Sequence, residues 1–225
     1  MSDYDKHTIN SPNPVARLAH RSRFDKAVEL VRQQTNEHGT VLDFGSGTGA
    51  FLKQLRPVMP NAQLKAFEPY MENAHNDSFS YVGAVSDIPD RSIDTIGSFE
   101  VLEHLSDEDV SGFFDLCHSK LKPEGSVVVS VPIMIGLSLP IKEFNRSIFS
   151  KYKRTYTIPE MLRGTVGLPV VRARNRLASH KGFDFRDIVR RFDDDAWRVK
   201  TQYSPFSALK WSLNSQIFIV AKPTK

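Results

Sequence analysis

Residues 40–50, TVLDFGSGTGA, constrain the fold more than any other stretch of this chain. Thr40-Val41-Leu42-Asp43-Phe44 reads as a short buried strand, because β-branched and apolar residues dominate it. Gly45, Gly47 and Gly49 follow as a turn, and Ala50-Phe51-Leu52 begins a helix. A strand that turns through glycine into a helix gathers backbone N–H groups at a positive helix end. Glycine permits the unusual dihedrals of such a turn and lets a ligand touch the backbone. A ligand bearing a carboxylate or a phosphate suits this geometry. Gly45, Gly47 and Ala50 also satisfy the dinucleotide pattern G-x-G-x-x-G/A, so the turn alone leaves the ligand class open.

Two features further along narrow it. A second strand, Gln63 to Phe67, stops at Glu68, about where an acid grips ribose hydroxyls. A fourth strand ends in Phe99-Glu100-Val101-Leu102-Glu103-His104-Leu105. VLDFGSGTG, AFEP and FEVLEHL in this order resemble the class I S-adenosylmethionine-dependent methyltransferases. The EVLEHL segment is most similar to the branch of the ubiquinone-biosynthesis O-methyltransferases and many small bacterial methyltransferases. The resemblance spans about residues 39–133.

It implies an α/β fold: a Rossmann-like, seven-stranded, mostly parallel sheet with helices on both faces and an antiparallel last strand. It also implies S-adenosylmethionine as methyl donor. Carried over by position, Asp43, Gly45, Ser46, Gly47 and Gly49 line the donor at the turn, and Glu68 and Pro69 meet its ribose. Glu100 lies near the donor. The loop after the third strand (Phe79 to Val82) corresponds to the adenine loop. Here the chain departs from the pattern, since Ala84 stands where relatives often place an Asp. The role passes to Val85, Ser86 and Asp87.

A chain of 225 residues suits one domain with ample core. We divide it into an N-terminal arm and lid helix (1–36), a donor core (37–133), a substrate-selecting insertion (134–180) and a closing helix with strands (181–225). The single cysteine, Cys117, excludes an intramolecular disulfide and fits a reducing cytosol. The opening MSDYDKHTINSPNP lacks the apolar run of a secretory signal. The uncharged, mostly apolar stretch Val127 to Ile141 is short for a membrane span and contains Pro132, Gly136 and Pro140. The expected location is the cytoplasm.

The remaining elements follow from periodicity. A helix over about 15–34 places Phe24, Ala27, Val28 and Val31 on one buried stripe. Arg17, His20, Arg21 and Arg23 crowd its early turns, where the family often has a lid. A second helix is expected over 49–58, and the fourth strand over 93–99. Ser106 and Asp109 form a capping box for a helix whose buried face is Val110, Phe113, Phe114, Cys117 and Leu121. Lys122 to Gly125 reads as a turn before a fifth strand, Ser126 to Val131. Residues 134–180 look the least regular. A last helix is expected from Gly182 to Phe192, then strands Trp197–Tyr203 and Gln216–Ala221. The net charge of +4 is uneven: residues 142–200 hold 15 Lys/Arg against 7 Asp/Glu. That excess fits a solvated basic face, an anionic substrate, a membrane surface or nucleic acid.

A sulfonium donor is already reactive, so the family needs no obligatory catalytic motif, and positioning does most of the work. A base helps when the acceptor is a hydroxyl. His104 and His180 are the candidate bases. Glu100, Glu103 and His104, with a distant His180, also match the E-x-x-E-H pattern by which small-RNA 3′-end 2′-O-methyltransferases hold a divalent ion. Many relatives carry EVLEH without a metal, and the reading taken forward assigns none. The expected reaction is methylation of a small-molecule, saccharide or lipid-linked hydroxyl, with an anionic acceptor and peripheral membrane contact in keeping with the apolar-then-basic insertion. RNA 2′-O-methylation is the second reading, weakened by the lack of paired aromatics for base stacking. A non-catalytic donor-binding partner subunit is the third.

Overall fold

A computed structural model describes residues 14–69, 76–149, 155–176, 179–192 and 195–224. Helix α1 (Pro14–Gln34) leads into β1 (Thr40–Phe44), α2 (Ala50–Leu55), β2 (Gln63–Phe67) and β3 (Ser80–Val82). Then come β4 (Ile93–Phe99), α3 (Asp107–Lys120), β5 (Leu121–Pro132), α4 (Ser138–Phe149) and α5 (Ile158–Thr165). The chain closes with α6 (Phe185–Arg191), β6 (Trp197–Ser204) and β7 (Gln216–Pro223).

The seven strands form one sheet in the order β3-β2-β1-β4-β5-β7-β6. The pairs among β1 to β5 are parallel, and β7 runs antiparallel to both β5 and β6. This is the expected fold. The strand order reverses between β1 and β4, so a crevice opens beyond their carboxyl ends, where ligands bind in such sheets.

Alternation along β5 explains the two cores. Val127, Val129 and Val131 face α3 and α6 among Phe113, Phe114, Ile188 and Phe192. Val128 faces the other way, with Phe218 and Val220 of β7, toward α1 and α2. Each buried aliphatic side chain contributes about 1.5–3 kcal/mol. The expected stripe on α1 is present: Ala27 and Val31 are buried, and Phe24 and Val28 pack at its margin. Cys117 is a packed thiol in the α3 core, and burial pushes its pKa well up. The Ser106 hydroxyl accepts the Asp109 N–H, and Asp109 answers, so the capping box forms as read.

Four boundaries differ from the sequence reading. Lys122 to Gly125 is a bulge within β5 and not a separate turn. Ile93 pairs with Leu121 but Thr95 with Ser126, so β5 carries extra residues. Pro123 has no N–H for the ladder, and a Cβ at Gly125 would meet the Asp94 carbonyl oxygen at 2.9 Å. Helix α2 stops at Leu55, where the Arg56 side chain gathers the carbonyls of Pro60, Ala62 and Ser78. Helix α6 begins only at Phe185, because Gly182 is left-handed (φ 72°) and its Cα abuts the Val171 carbonyl oxygen. Residues 134–180 hold two helices, the second opened by a Thr157/Glu160 capping box with Pro159 in the first turn. His75 and the acidic pair Asp193-Asp194 lie outside the described residues.

Removing the α3 cap should weaken the whole core that α3 carries. Ser106→Ala is expected to lower stability by about 1 kcal/mol, read as a drop in the urea midpoint with an unchanged slope.

Candidate active site

The turn after β1 is pinned at three points. The N–H groups of Gly45 and Ser46 both donate to the Phe67 carbonyl at the end of β2, at 2.9 and 3.3 Å. Gly45 is left-handed (φ 74°), and a Cβ there would meet Val101 at 2.5 Å. Gly49 is also left-handed (φ 71°), and its Cβ would meet the Phe79 ring at 2.1 Å. A side chain at either position would both strain the backbone and collide. Gly47 differs, since nothing lies within 4 Å of its Cβ position. The space beside its Cα is therefore open.

Polar groups converge on that space. The Gly47 N–H donates to Glu68 Oε2 at 2.9 Å, so the β2 acid reaches across to the turn. The Ser46 hydroxyl is buried and finds no hydrogen-bond partner among the described residues. Asp43, buried at the end of β1, has its carboxyl pushed up to about 8, by burial first and by the Glu68 charge second. Pro69 is exposed beside Glu68. The loop after β3 makes a 3-10 turn over Val85–Asp87. Asp87 Oδ2 accepts the Ala84 N–H at 2.9 Å, and Ser86 is exposed.

Glu100 follows β4 in a left-handed conformation (φ 59°), which a side chain adopts only when its surroundings force it. Its N–H donates to the Ser130 carbonyl at 3.0 Å. Its carboxylate accepts from Arg23 of α1 at 3.0 Å and from Gln216 of β7 at 2.7 Å. The side chain thus faces α1 and β7. Nearby, the Lys142 ammonium donates to the carbonyls of Ile133 and Ser215, both at 2.8 Å, and burial pushes its pKa down to about 8.

The fold brings His104 and His180 together from 76 residues apart. Their Nε2 atoms are 3.1 Å apart, and their rings tilt against each other. His104 Nδ1 lies 3.0 Å from the Arg176 carbonyl oxygen, which can only accept. His104 therefore carries its proton on Nδ1 when neutral, and His180 Nε2 donates to His104 Nε2. The acceptor nitrogen of the neutral pair is then His180 Nδ1. Arg172 holds the segment in place by donating to the main-chain oxygens of Glu103 and His180.

Glu103, which the sequence offers only through the E-x-x-E-H pattern, is fully buried, with Oε1 at 3.9 Å from His104 Nε2 and no hydrogen-bond partner on either oxygen among the described residues. Burial, then the Glu100 charge, raises its carboxyl well above the carboxylate range. Glu103, His104 and His180 form a group whose ligand-type atoms all lie within 4.8 Å, so they could hold a cation. Glu100, the fourth residue of that pattern, is turned to Arg23 and Gln216 and does not join them. A cleft of about 540 Å³, not lined by either imidazole, is bounded by Leu105, Val110, Arg176, Phe183 and Arg191.

Comparison with known proteins fits this geometry. A family model described as a methyltransferase domain matches residues 17–149, more than half of the chain. No curated protein matches the sequence. Among solved structures, the methyltransferase domain of a bacterial Hen1 (CtHen1-CN) is similar at TM-score 0.57 and 14% identity, covering 90% of this chain and 98% of that one. Magnesium protoporphyrin IX methyltransferase (ChlM) from Synechocystis PCC 6803, solved with bound SAH, is similar at TM-score 0.56 and 15% identity, covering 96% and 89%. The DhpI–SAH complex is similar at TM-score 0.54 and 17% identity, covering 98% and 90%. At these identities the structures speak for the fold, and the family model speaks for the kind of protein. The chain belongs to the methyltransferase-domain family and is a class I S-adenosylmethionine-dependent methyltransferase.

Proposed function

We propose that this enzyme methylates a hydroxyl on a small-molecule, saccharide or lipid-linked acceptor, with the His104–His180 pair as its base. The observation that carries the reading is the imidazole pair at the carboxyl end of β4, on the same edge of the sheet as the glycine turn. The donor, when bound, supplies an electrophilic methyl on a sulfonium. The chain's own task is to hold it, orient the acceptor and take one proton.

For holding the donor, the open space beside Gly47, the Ser46 hydroxyl and the Glu68 carboxylate support the reading. Gly45 and Gly49 fix the turn that borders that space. Asp43 supplies a carboxyl beneath the turn, Pro69 shapes the far side, and the Val85-Ser86-Asp87 turn is read as the adenine wall. Because Asp87 caps Ala84, its main chain suits that role better than its carboxylate. Glu100 acts at one remove, by fixing α1 and β7 at the rim. For proton transfer, His180 Nδ1 accepts from the acceptor hydroxyl. The His180 Nε2 proton can then pass to His104, whose developing charge Glu103 faces at 3.9 Å. A positioned base of this kind contributes about 10²–10⁴-fold. The chain is treated throughout as one domain, with α4, α5 and the segment up to His180 selecting the acceptor.

Three outcomes are expected. Calorimetry of the purified protein should show uptake of S-adenosylhomocysteine, and Glu68→Gln should weaken it about tenfold or more, as loss of a charged hydrogen bond does. No uptake by the wild type would end the donor-site assignment.

With cell extract as acceptor source, His180→Ala and His104→Ala should each slow S-adenosylhomocysteine production about a hundredfold while leaving its binding unchanged. Turnover should survive EDTA. Loss of turnover with EDTA would assign the same three side chains to an ion instead.

The pH dependence isolates Asp43. An acid near 3.8 when unfolded and about 8 when folded stabilises the fold at low pH, and that contribution is lost as pH rises from about 4 to 8. Asp43→Asn mimics the protonated form. It should therefore raise the melting temperature little at about pH 4 and much more at about pH 9. Equal shifts at both values would show that Asp43 titrates normally.

A further inference from the structure

Of the twelve large apolar side chains exposed among the described residues, eleven lie within 137–171 and 206–213, and the other is Val58. That clustering is far from what scattered surface leucines and valines produce. Ile141, Phe144, Ile158, Leu162, Val166 and Val171 are between 64 and 79% exposed. On α5 and its cap, Ile158, Leu162 and Val166 follow each other at helical spacing, so one face of that helix is apolar and bare. At the start of α4, Leu137, Ile141 and Phe144 do the same.

The separate segments make one surface. The Gly164 Cα of α5 abuts Leu139 of α4, where a Cβ would come within 2.5 Å. Gly136 and Gly167 both abut the Trp211 ring, which ties α4 and α5 to the loop between β6 and β7. Phe206, Leu209 and Leu213 lie exposed on that loop. The register places this surface relative to the site. Pro132 of β5 pairs with Gln216 of β7, so both α4 and the 206–213 loop leave the sheet at its carboxyl edge. The apolar surface therefore borders the crevice read above as the donor site.

Its charge is one-sided. Arg163, Arg174 and Lys210 are exposed within or beside the apolar segments. The two carboxylates of the same segments are occupied: Glu143 accepts the Thr155 hydroxyl, and Glu160 accepts Lys181 at 2.8 Å. An apolar face rimmed by cations, with Phe144, Phe206 and Trp211 among it, matches an interfacial binder of lipid and not a solvated helix pair. No described helix is long and apolar enough to cross a membrane, so contact would be from one side.

We propose that α4, α5 and the 206–213 loop dock this enzyme on an anionic lipid surface, with the open edge of its sheet turned toward the bilayer. The apolar side chains enter the headgroup boundary, and Arg163, Arg174 and Lys210 meet lipid phosphates. An acceptor embedded in or tethered to the membrane would then reach the site without leaving the lipid. Only this last consequence rests on the proposed hydroxyl methylation.

The test is flotation of the purified full chain with phosphatidylcholine vesicles, with and without phosphatidylglycerol. The wild type should float with the anionic vesicles, less so with neutral ones, and less at high salt. Ile158→Ser/Leu162→Ser should weaken flotation about tenfold or more, as should Phe206→Ser combined with Leu209→Ser. Both variants should keep wild-type S-adenosylhomocysteine uptake, which separates failure of docking from failure of the donor site. A wild type that stays at the bottom of the gradient with every vesicle overturns the proposal, and so do variants that float as well as it. If light scattering instead shows a dimer that the double variants dissolve, the face belongs to a second copy of the chain.

Discussion

Two missing methyl groups hold the structure in register. A Cβ on Gly45 would strike Val101, at the end of β4, and one on Gly49 would strike Phe79, just before β3. The turn after β1 is therefore wedged between a side chain that follows β4 and one that precedes β3. Both N–H groups at its start are taken by the Phe67 carbonyl of β2. Interiors at native packing density do not yield to an extra carbon without displacement. Between the two glycines the space beside Gly47 stays open, so the constraint that closes the core also borders the candidate site.

Around that wedge the sheet concentrates costly features at one edge. Asp43 and Glu103 are buried carboxyls, Ser46 is a buried hydroxyl with no hydrogen-bond partner among the described residues, and Glu100 sits in a left-handed conformation. Each opposes folding taken alone. They persist because the surroundings determine them: Ser130, Arg23 and Gln216 fix Glu100 from three separate elements. Such strain and unmet polarity belong where a ligand or a reacting group will use them. Away from this edge, Val127, Val128 and Val129 of β5 are plain valine on both faces.

Much of this was legible. The motifs at 40–50, 66–69 and 99–105 carry the resemblance that implies the seven-stranded topology, and the sheet has it, because each motif depends on local chain geometry. Helix α5 was also legible but overlooked: Thr157, Pro159 and Glu160 spell a helix start. Its apolar face points outward, so the usual expectation that an apolar stripe marks a core misled the reading of 134–180. The bulge at 122–125 was read as a turn because Pro and Gly signal both, and only the pairing of Leu121 with Ile93 tells them apart.

The E-x-x-E-H stretch marks where the division falls. Sequence alone established that two acids and a histidine follow β4, and that a strand, a glycine turn and an acid at the end of β2 precede them, since each is a matter of neighbours along the chain. It could not separate the two acids. Glu100 turns out to α1 and β7, whereas Glu103 is sealed against His104, with His180 arriving from 76 residues away. Burial and long-range partners decide protonation and direction, and both exist only once distant segments have packed around the same few atoms.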